Sequence, residues 1–146
     1  MGQDRPRYEV SPAGVDAMLD AEFPGTGNSC TELGPTYAVA RRPIDAGAIR
    51  PGGFVSGPTQ FGLADAALWY LVFGVIDRIE PMALTSELSI RFLRPAQGSV
   101  LWARASLESA GSRSIVGSVK VWCDDLEDKP SSVAQGTYVL PRRSSP

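Results

Sequence analysis

The feature that most constrains the fold is an apolar stretch over residues 51–76 that contains one charged residue, Asp65. Because proline suits the first position of a helix and Ser or Gly suits its cap, a helix is predicted from Pro58, with Ser56 or Gly57 as the cap. Apolar side chains lie almost all round this helix, which predicts that it is buried. The rest of the chain must therefore cover a long helix on most of its circumference.

The remaining sequence predicts one further helix and a series of strands. Ser11 and Pro12 begin a short amphipathic helix, and Gly25 ends it. After Pro81 the apolar residues alternate with a period of two, which is typical of half-buried strands. Strands are predicted over residues 33–43, 84–92, 99–108, 114–122 and 132–140. In the second of these, one face is predicted to carry Leu84, Ser86, Leu88, Ile90 and Phe92, and the other Thr85, Glu87, Ser89 and Arg91.

One buried helix among antiparallel strands has a simple packing solution. The predicted fold class is α+β, with an antiparallel sheet wrapped around one long central helix. A single sheet leaves one flank of the helix and the edge of the following strand uncovered, so a homodimer or homotetramer is expected. The predicted organisation is an N-terminal segment with a short helix over 1–27, a main domain over 28–141 and a frayed tail over 142–146.

Composition and charge exclude several classes of protein. With 146 residues, 43% of them apolar, and a net charge of −2, the chain is a globular domain without the basic surface that nucleic-acid binding requires. Its polar N-terminus lacks a secretory signal, which predicts a cytoplasmic protein with no membrane partner. Cys30 and Cys123 are too few for a disulfide framework and are expected to be reduced.

The chain contains no histidine, which narrows the chemistry available to it. Ser-His-Asp and Cys-His nucleophiles are excluded, and no metal site is expected. An unpaired carboxylate in apolar surroundings costs on the order of several kcal/mol, so Asp65 is a candidate catalytic group. The alternative is a structural carboxylate that accepts hydrogen bonds from backbone or Ser/Thr groups.

Three motifs at ordered spacing carry a family resemblance. Ser56-Gly57-Pro58 begins the helix, Leu63-Ala64-Asp65 lies within it, and Phe92-Leu93-Arg94-Pro95 closes the next strand. Together they resemble the hotdog-fold acyl-CoA thioesterases, in the phenylacetate-pathway-like branch, over residues 28–140. That family typically has His-Gly-Gly at the first motif, so Ser56 and Pro58 depart from its pattern.

The resemblance implies a thioester hydrolase that releases a free acid and coenzyme A and needs no other cofactor. It implies that Asp65 activates water or attacks the thioester carbonyl, while the Gly57 amide binds the developing oxyanion. Further candidate substrate-binding residues, beside this motif and at neighbouring strand ends and turns, are Ser56, Pro58, Thr59, Arg94 and Arg113.

The spacing of the two candidate catalytic groups predicts a shared site. Asp65 lies eight residues after Gly57, about 12 Å along a helix at ~1.5 Å per residue, whereas catalytic contacts are about 3 Å. Two antiparallel helices across a twofold axis bring Gly57 of one subunit to Asp65 of the other. A non-catalytic acyl-CoA-binding or assembly protein is the alternative, favoured by the changes at Ser56 and Pro58, and a dehydratase is disfavoured by the lack of histidine.

Overall fold

The computed structural model describes residues 7–142. The helices within them are α1 (Pro12–Glu22) and α2 (Gly57–Ile76), with a short 3₁₀ helix over Ala46–Ala48. The strands are β1 (Ser29–Leu33), β2 (Tyr37–Pro43), β3 (Leu84–Phe92), β4 (Val100–Ala110), β5 (Ser114–Cys123) and β6 (Ser132–Val139). Residues 1–6 of the predicted N-terminal segment and 143–146 of the predicted tail lie outside the described residues.

The six strands form one antiparallel sheet in the order β1-β2-β4-β5-β6-β3. Helix α2 packs against β2, β4, β5 and β6, so the predicted α+β arrangement is confirmed. By length and composition α2 could cross a membrane, but 61% of its most apolar window is buried, as in the core helix of a globular domain. Strand β3 lies at one edge of the sheet, as expected for the strand that follows the helix.

Small residues on the sheet let α2 approach closely. Buried alanines line the strands beneath the helix at Ala38, Ala40, Ala103 and Ala105. A Cβ atom added to Gly117 would lie 2.6 Å from Cδ2 of Leu68 and 2.8 Å from Cδ2 of Leu71. At this contact the large side chains therefore come from the helix, and small residues on the strands provide the room for them.

The start of α2 differs by one residue from the predicted start. The helix begins at Gly57, and Ser56 is the cap, with its hydroxyl accepting from the Thr59 N–H at 3.2 Å. Pro58 thus stands in the first turn, where its missing N–H costs no helical hydrogen bond. At the other end Asp77 takes a left-handed conformation with φ of 56°, and its N–H bonds to the Phe73 carbonyl oxygen. Both ends of α2 are therefore defined by local side-chain and backbone chemistry.

The single strand predicted over residues 33–43 is wrong. The segment contains a hairpin turn, in which the Gly34 N–H donates to the Tyr37 carbonyl oxygen at 2.8 Å. Strand β1 ends at Leu33 and β2 begins at Tyr37, so the first strand lies earlier in the chain than predicted. The Gly34-Pro35 pair is a turn signal that outweighs the strand propensity of the neighbouring residues. The other strand bounds differ from prediction by at most two residues.

A bulge in β3 overturns part of the predicted alternation. Thr85 pairs with Tyr138 and Glu87 with Thr137, so Ser86 is an extra residue in the ladder. From Leu88 onward the side chains of β3 lie on the predicted faces of the sheet, whereas those before the bulge lie on the opposite faces. Leu84 is 66% exposed, and Thr85 faces α2, where it bonds to Asp65. The bulge therefore changes which hydroxyl meets the candidate catalytic carboxylate.

Helix α1 covers the end of the sheet that carries β1. Its Val15, Met18 and Leu19 side chains belong to the core, and the Asp16 carboxylate accepts from the Cys30 N–H at 2.8 Å. Cys30 and Cys123 are both unbridged and buried, so their predicted place in the core is confirmed. Burial raises the pKa of Cys30 to about 12, and burial also raises the pKa of Cys123.

Gly74 is required where α2 crosses the β1–β2 turn. A Cβ atom at this position would overlap the backbone carbonyl of Gly34, which cannot swing aside as a side chain can. We expect Gly74→Ala to lower the free energy of unfolding by about 1–3 kcal/mol through overpacking, measured by urea denaturation. The control is Gly111→Ala, whose new Cβ would meet its nearest atom at an ordinary 3.4 Å. Equal stabilities of the two variants would contradict the close packing of helix and turn.

Candidate active site

Asp65 lies on the flank of α2 that the sheet leaves partly open, and it is half-buried. Two hydroxyl groups donate to its Oδ1 atom, Thr85 Oγ1 at 2.7 Å and Tyr138 Oη at 2.7 Å. No hydrogen bond from residues 7–142 reaches the second carboxylate oxygen, Oδ2. The carboxylate is therefore held by one oxygen and has the other available for a ligand.

The surroundings of Tyr138 favour its protonated form, which is a hydrogen-bond donor. It is buried on β6, directly opposite Thr85 in the sheet. Burial, and after it the charge of Asp65, raises the pKa of Tyr138 far above its ordinary value of 10.0. An ionised carboxylate can only accept, so the protonated phenol is the donor in this contact.

The N-terminus of α2 has one unused backbone donor, the Gly57 amide. Pro58 has no N–H, and the N–H groups of Thr59 and Gln60 bond to the hydroxyl and the carbonyl oxygen of Ser56. Among the described residues none accepts from the Gly57 N–H. Because the helix dipole places partial positive charge here, this amide is suited to an oxyanion.

A groove of about 520 Å³ opens beside Gly57. Arg50 and Arg94 give it positive charge, and its described lining residues include no acidic side chain. Phosphate groups suit such a groove, because guanidinium groups bind them through paired hydrogen bonds. Asp65 does not line the groove, so within one protomer the two candidate catalytic groups open onto different spaces. The lining residues are Arg50, Phe54, Val55, Gly57, Gln60, Phe92, Leu93, Arg94, Pro95 and Ala96.

The other candidate substrate-binding residues lie in three different settings. Ser56 and Thr59 form part of the helix cap, with their hydroxyl oxygens 2.7 Å apart. Pro58 is exposed in the first turn of α2. Arg113 lies in the β4–β5 turn and donates to the Leu140 carbonyl oxygen at 3.0 Å, away from the groove. The structure therefore brings Gly57 and Arg94 together but does not bring Arg113 to them.

Gln60 anchors the N-terminus of α2 to the sheet. It is 3% exposed, its Oε1 accepts from the hydroxyls of Ser131 and Ser132 at 2.8 and 2.9 Å, and its Nε2 donates to the Val55 carbonyl oxygen. A buried amide with all these partners fixes the position of the first turn of α2, and with it Gly57. Its place in an otherwise apolar helix was the sequence signal for such a role.

The N-terminal half of α2 and strand β3 expose an apolar surface. Phe61 is 38% exposed and Phe92 is 50% exposed. Gly62 is exposed too, and a Cβ atom added there would meet nothing within 4 Å. Glycine inside a helix costs about 0.5–1 kcal/mol relative to alanine, and no contact with residues 7–142 accounts for it here.

Residues 7–142 contain no group of three or more His, Cys, Asp or Glu side chains placed to hold a metal ion. The polar groups beside α2 are the carboxylate and hydroxyls at Asp65 and, separately, the backbone amide and guanidinium groups at the groove. Acyl transfer to water uses groups of these kinds, a base or nucleophile and a donor for the oxyanion.

Comparison with solved structures identifies the same architecture in several proteins. A protein of Silicibacter sp. TM1040, provisionally described as a thioesterase, is 29% identical, with a TM-score of 0.80 over 96% of this chain and 97% of that one. The Escherichia coli PaaI protein, from the phenylacetic acid degradation operon, is 21% identical with a TM-score of 0.74, over 91% and 93% of the two chains. A Streptococcus mutans UA159 protein solved with acetyl-CoA is 16% identical with a TM-score of 0.67, over 81% and 91%.

Sequence comparison gives the family directly. None of the curated proteins matches the chain significantly. The family model of the thioesterase superfamily matches residues 52–129, which is more than half of the chain and includes Gly57, Asp65, Thr85 and Arg94. The hotdog fold expected from the motifs is the fold of these structural neighbours. The chain therefore belongs to the thioesterase superfamily.

Proposed function

We propose that the chain is an acyl-CoA thioesterase, which hydrolyses a thioester to a free acid and coenzyme A. The observation that carries the proposal is the presence on one helix of two suitable groups. One is the half-buried Asp65 carboxylate, which accepts from two hydroxyls, and the other is the unused Gly57 amide at the helix terminus. Thioester hydrolysis needs these two groups. The acetyl-CoA bound to the Streptococcus mutans neighbour supports a coenzyme A thioester as the ligand of this fold. No other cofactor is required, and the protein is expected to act in the cytoplasm.

In the proposed reaction the Gly57 N–H donates to the thioester carbonyl oxygen. Asp65 removes a proton from water as the water oxygen bonds to the carbonyl carbon, or attacks that carbon itself. The negative charge that develops on the carbonyl oxygen is stabilised by the Gly57 amide and the dipole of α2. In the first route the thiolate of coenzyme A takes the proton from Asp65 as the C–S bond breaks. In the second route the C–S bond breaks as an anhydride forms between the acyl group and Asp65. Water then hydrolyses the anhydride, which releases the acid, restores the carboxylate and supplies the proton that the thiolate takes. Arg50 and Arg94 are positioned to hold its phosphates.

The site is proposed to form between two subunits. Gly57 and Asp65 lie on one helix, eight residues apart, and open onto different spaces of the protomer. If each Gly57 meets the partner's Asp65, the twofold axis passes near residue 61, halfway between them. The exposed Phe61 and the unexplained glycine at position 62 lie at that crossing. The free edge of β3 gives the two sheets a place to join.

Gly62→Arg is expected to convert the assembly to monomers. The new side chain has open space in the protomer, so each chain still folds, but it separates two helices that cross at this position. Analytical ultracentrifugation measures the mass, and circular dichroism checks the fold. Ala17→Arg, on the exposed side of α1 at the opposite edge of the sheet, is the matched control and keeps the assembly. A Gly62→Arg protein of unchanged mass would contradict the crossing.

A panel of acyl-CoA thioesters, with short, long and aromatic acyl groups, tests the function itself. Release of coenzyme A catalysed by the wild-type chain supports hydrolysis. Binding without turnover, detected by calorimetry, would instead favour the non-catalytic acyl-CoA-binding protein. That alternative is supported by Ser56 and Pro58, which differ from the residues typical of the family. Absence of both binding and turnover would exclude both functions for the panel tested.

A further inference from the structure

Tyr138 is joined to Asp65 by two contacts, although the residues are far apart in sequence. Its Oη lies 2.7 Å from Asp65 Oδ1 and 3.2 Å from the Asp65 carbonyl oxygen. A phenol has one proton, so the shorter contact to the carboxylate takes the hydrogen bond. Thr85, the cross-strand partner of Tyr138, donates to the same oxygen at 2.7 Å.

We propose that Tyr138 is a positioning residue that, with Thr85, fixes the carboxylate of Asp65 so that Oδ2 is the reacting oxygen. This role rests on the proposed thioesterase function. Two donors occupy Oδ1, and none from the described residues occupies Oδ2. An aspartate side chain otherwise rotates about χ2 between its two equivalent oxygens. Two hydroxyls on adjacent strands remove that freedom before the substrate arrives, as a site held to within about 0.5 Å requires.

The contrast with Tyr70 shows that a buried tyrosine in this core does not automatically have a partner. Tyr70, on α2 itself, is fully buried, and its hydroxyl has no hydrogen-bond partner among residues 7–142. Its ring fills core volume, and its oxygen makes no hydrogen bond with these residues. The Tyr138 hydroxyl instead meets the one charged side chain of α2. The two tyrosines therefore differ in function at the hydroxyl.

The test compares Tyr138→Phe with Tyr70→Phe, which remove the same atom from two buried rings. We expect Tyr138→Phe to lower kcat by about 10- to 100-fold, the effect of losing a hydrogen bond to a charged group, with KM unchanged. Tyr70→Phe keeps both kcat and KM. Because the ring remains in both variants, circular dichroism checks that both keep the wild-type fold. An unchanged kcat in Tyr138→Phe would overturn the role.

Substitutions at Thr85 provide a second test of the role, in which a conservative variant is expected to restore activity. Thr85→Val removes the hydroxyl at nearly constant shape and is expected to lower kcat to a similar extent, while Thr85→Ser restores it. A serine variant as slow as the valine variant would show that packing, not the hydroxyl, matters at this position, and would overturn the two-donor arrangement.

The outcomes for the role and for the function are distinguishable. If the wild-type chain turns over no thioester, the proposed function fails and the positioning role fails with it. If the wild type turns over thioesters, Asp65→Asn abolishes turnover and Tyr138→Phe retains it fully, the function stands and the role alone is excluded.

Discussion

Asp65→Asn is expected to reduce thioester hydrolysis by about 10²- to 10⁴-fold, the range that a general base or acid typically contributes. The amide has nearly the shape of the carboxylate, and its oxygen still accepts from Thr85 and Tyr138, so the site keeps its geometry. What is lost is the ability to take a proton or to attack the carbonyl carbon. The measurement is kcat on the best substrate of the acyl-CoA panel.

Two further observations make this result specific to the site. Asp20→Asn, an exposed carboxylate on α1, makes the same chemical change and keeps the wild-type rate. The affinity of the Asp65→Asn protein for substrate remains measurable by calorimetry, because the groove with Arg50 and Arg94 is unchanged. If the Asp65→Asn protein kept its rate, Asp65 would be the structural carboxylate of the alternative interpretation, satisfied by two hydroxyls.

Gly57→Pro is expected to reduce hydrolysis by about 10²- to 10³-fold, the cost of removing one oxyanion donor. Gly57 is the first residue of α2, a position that proline favours, and Ser56 already has the extended conformation, with ψ of 155°, that precedes a proline. The substitution therefore removes the amide proton at a helix position that proline favours, and circular dichroism checks that α2 still forms before Pro58. Few positions allow a backbone donor to be removed so selectively.

Gly57→Ala is the matched control for this variant. It introduces the same Cβ atom, 3.2 Å from the half-exposed ring of Phe92, but keeps the N–H. We expect it to retain most of the activity, after a small shift of that ring. If the alanine and proline variants lost activity equally, crowding against Phe92 would explain the loss, and the oxyanion role would be excluded.

A mixture of the two variants tests whether the site is shared. Subunits with Asp65→Asn and subunits with Gly57→Pro are each inactive alone. In a dimer of one of each, one site has both changes and the other has neither, so a random 1:1 mixture regains about a quarter of the wild-type sites. If both groups acted within one subunit, mixing would restore no activity.

Local chemistry made much of the fold predictable. The cap at Ser56, the proline after it and the continuous apolar residues defined α2 to within one residue. Period-two alternation located β4, β5 and β6, because inward and outward side chains differ in polarity along these strands. The β1–β2 hairpin differs from the predicted single strand because its Gly34-Pro35 turn lies between residues of high strand propensity.

The candidate site was less predictable, because part of it depends on pairings between distant segments. Asp65 is recognisable from the sequence as the charged residue of an apolar helix, and Gly57 from its position at the start of that helix. The predicted face of β3 for Thr85 is wrong, because nothing in the sequence marks Ser86 as the extra residue of a bulge. Tyr138 alternates correctly with its inward neighbours on β6, but its contact with Asp65 depends on which strand lies next to which, and this is fixed only by the tertiary fold.

The burial of both cysteines determines which chemistry can report on turnover. Only a thiolate attacks a chromogenic disulfide or an alkylating reagent, and burial keeps Cys30 and Cys123 protonated and out of contact with such reagents. The folded protein therefore contributes no background colour of its own, and every equivalent of dye comes from liberated coenzyme A. A slow rise in signal without substrate would mean that unfolding exposes the two cysteines. The same assay therefore measures both thioester hydrolysis and unfolding.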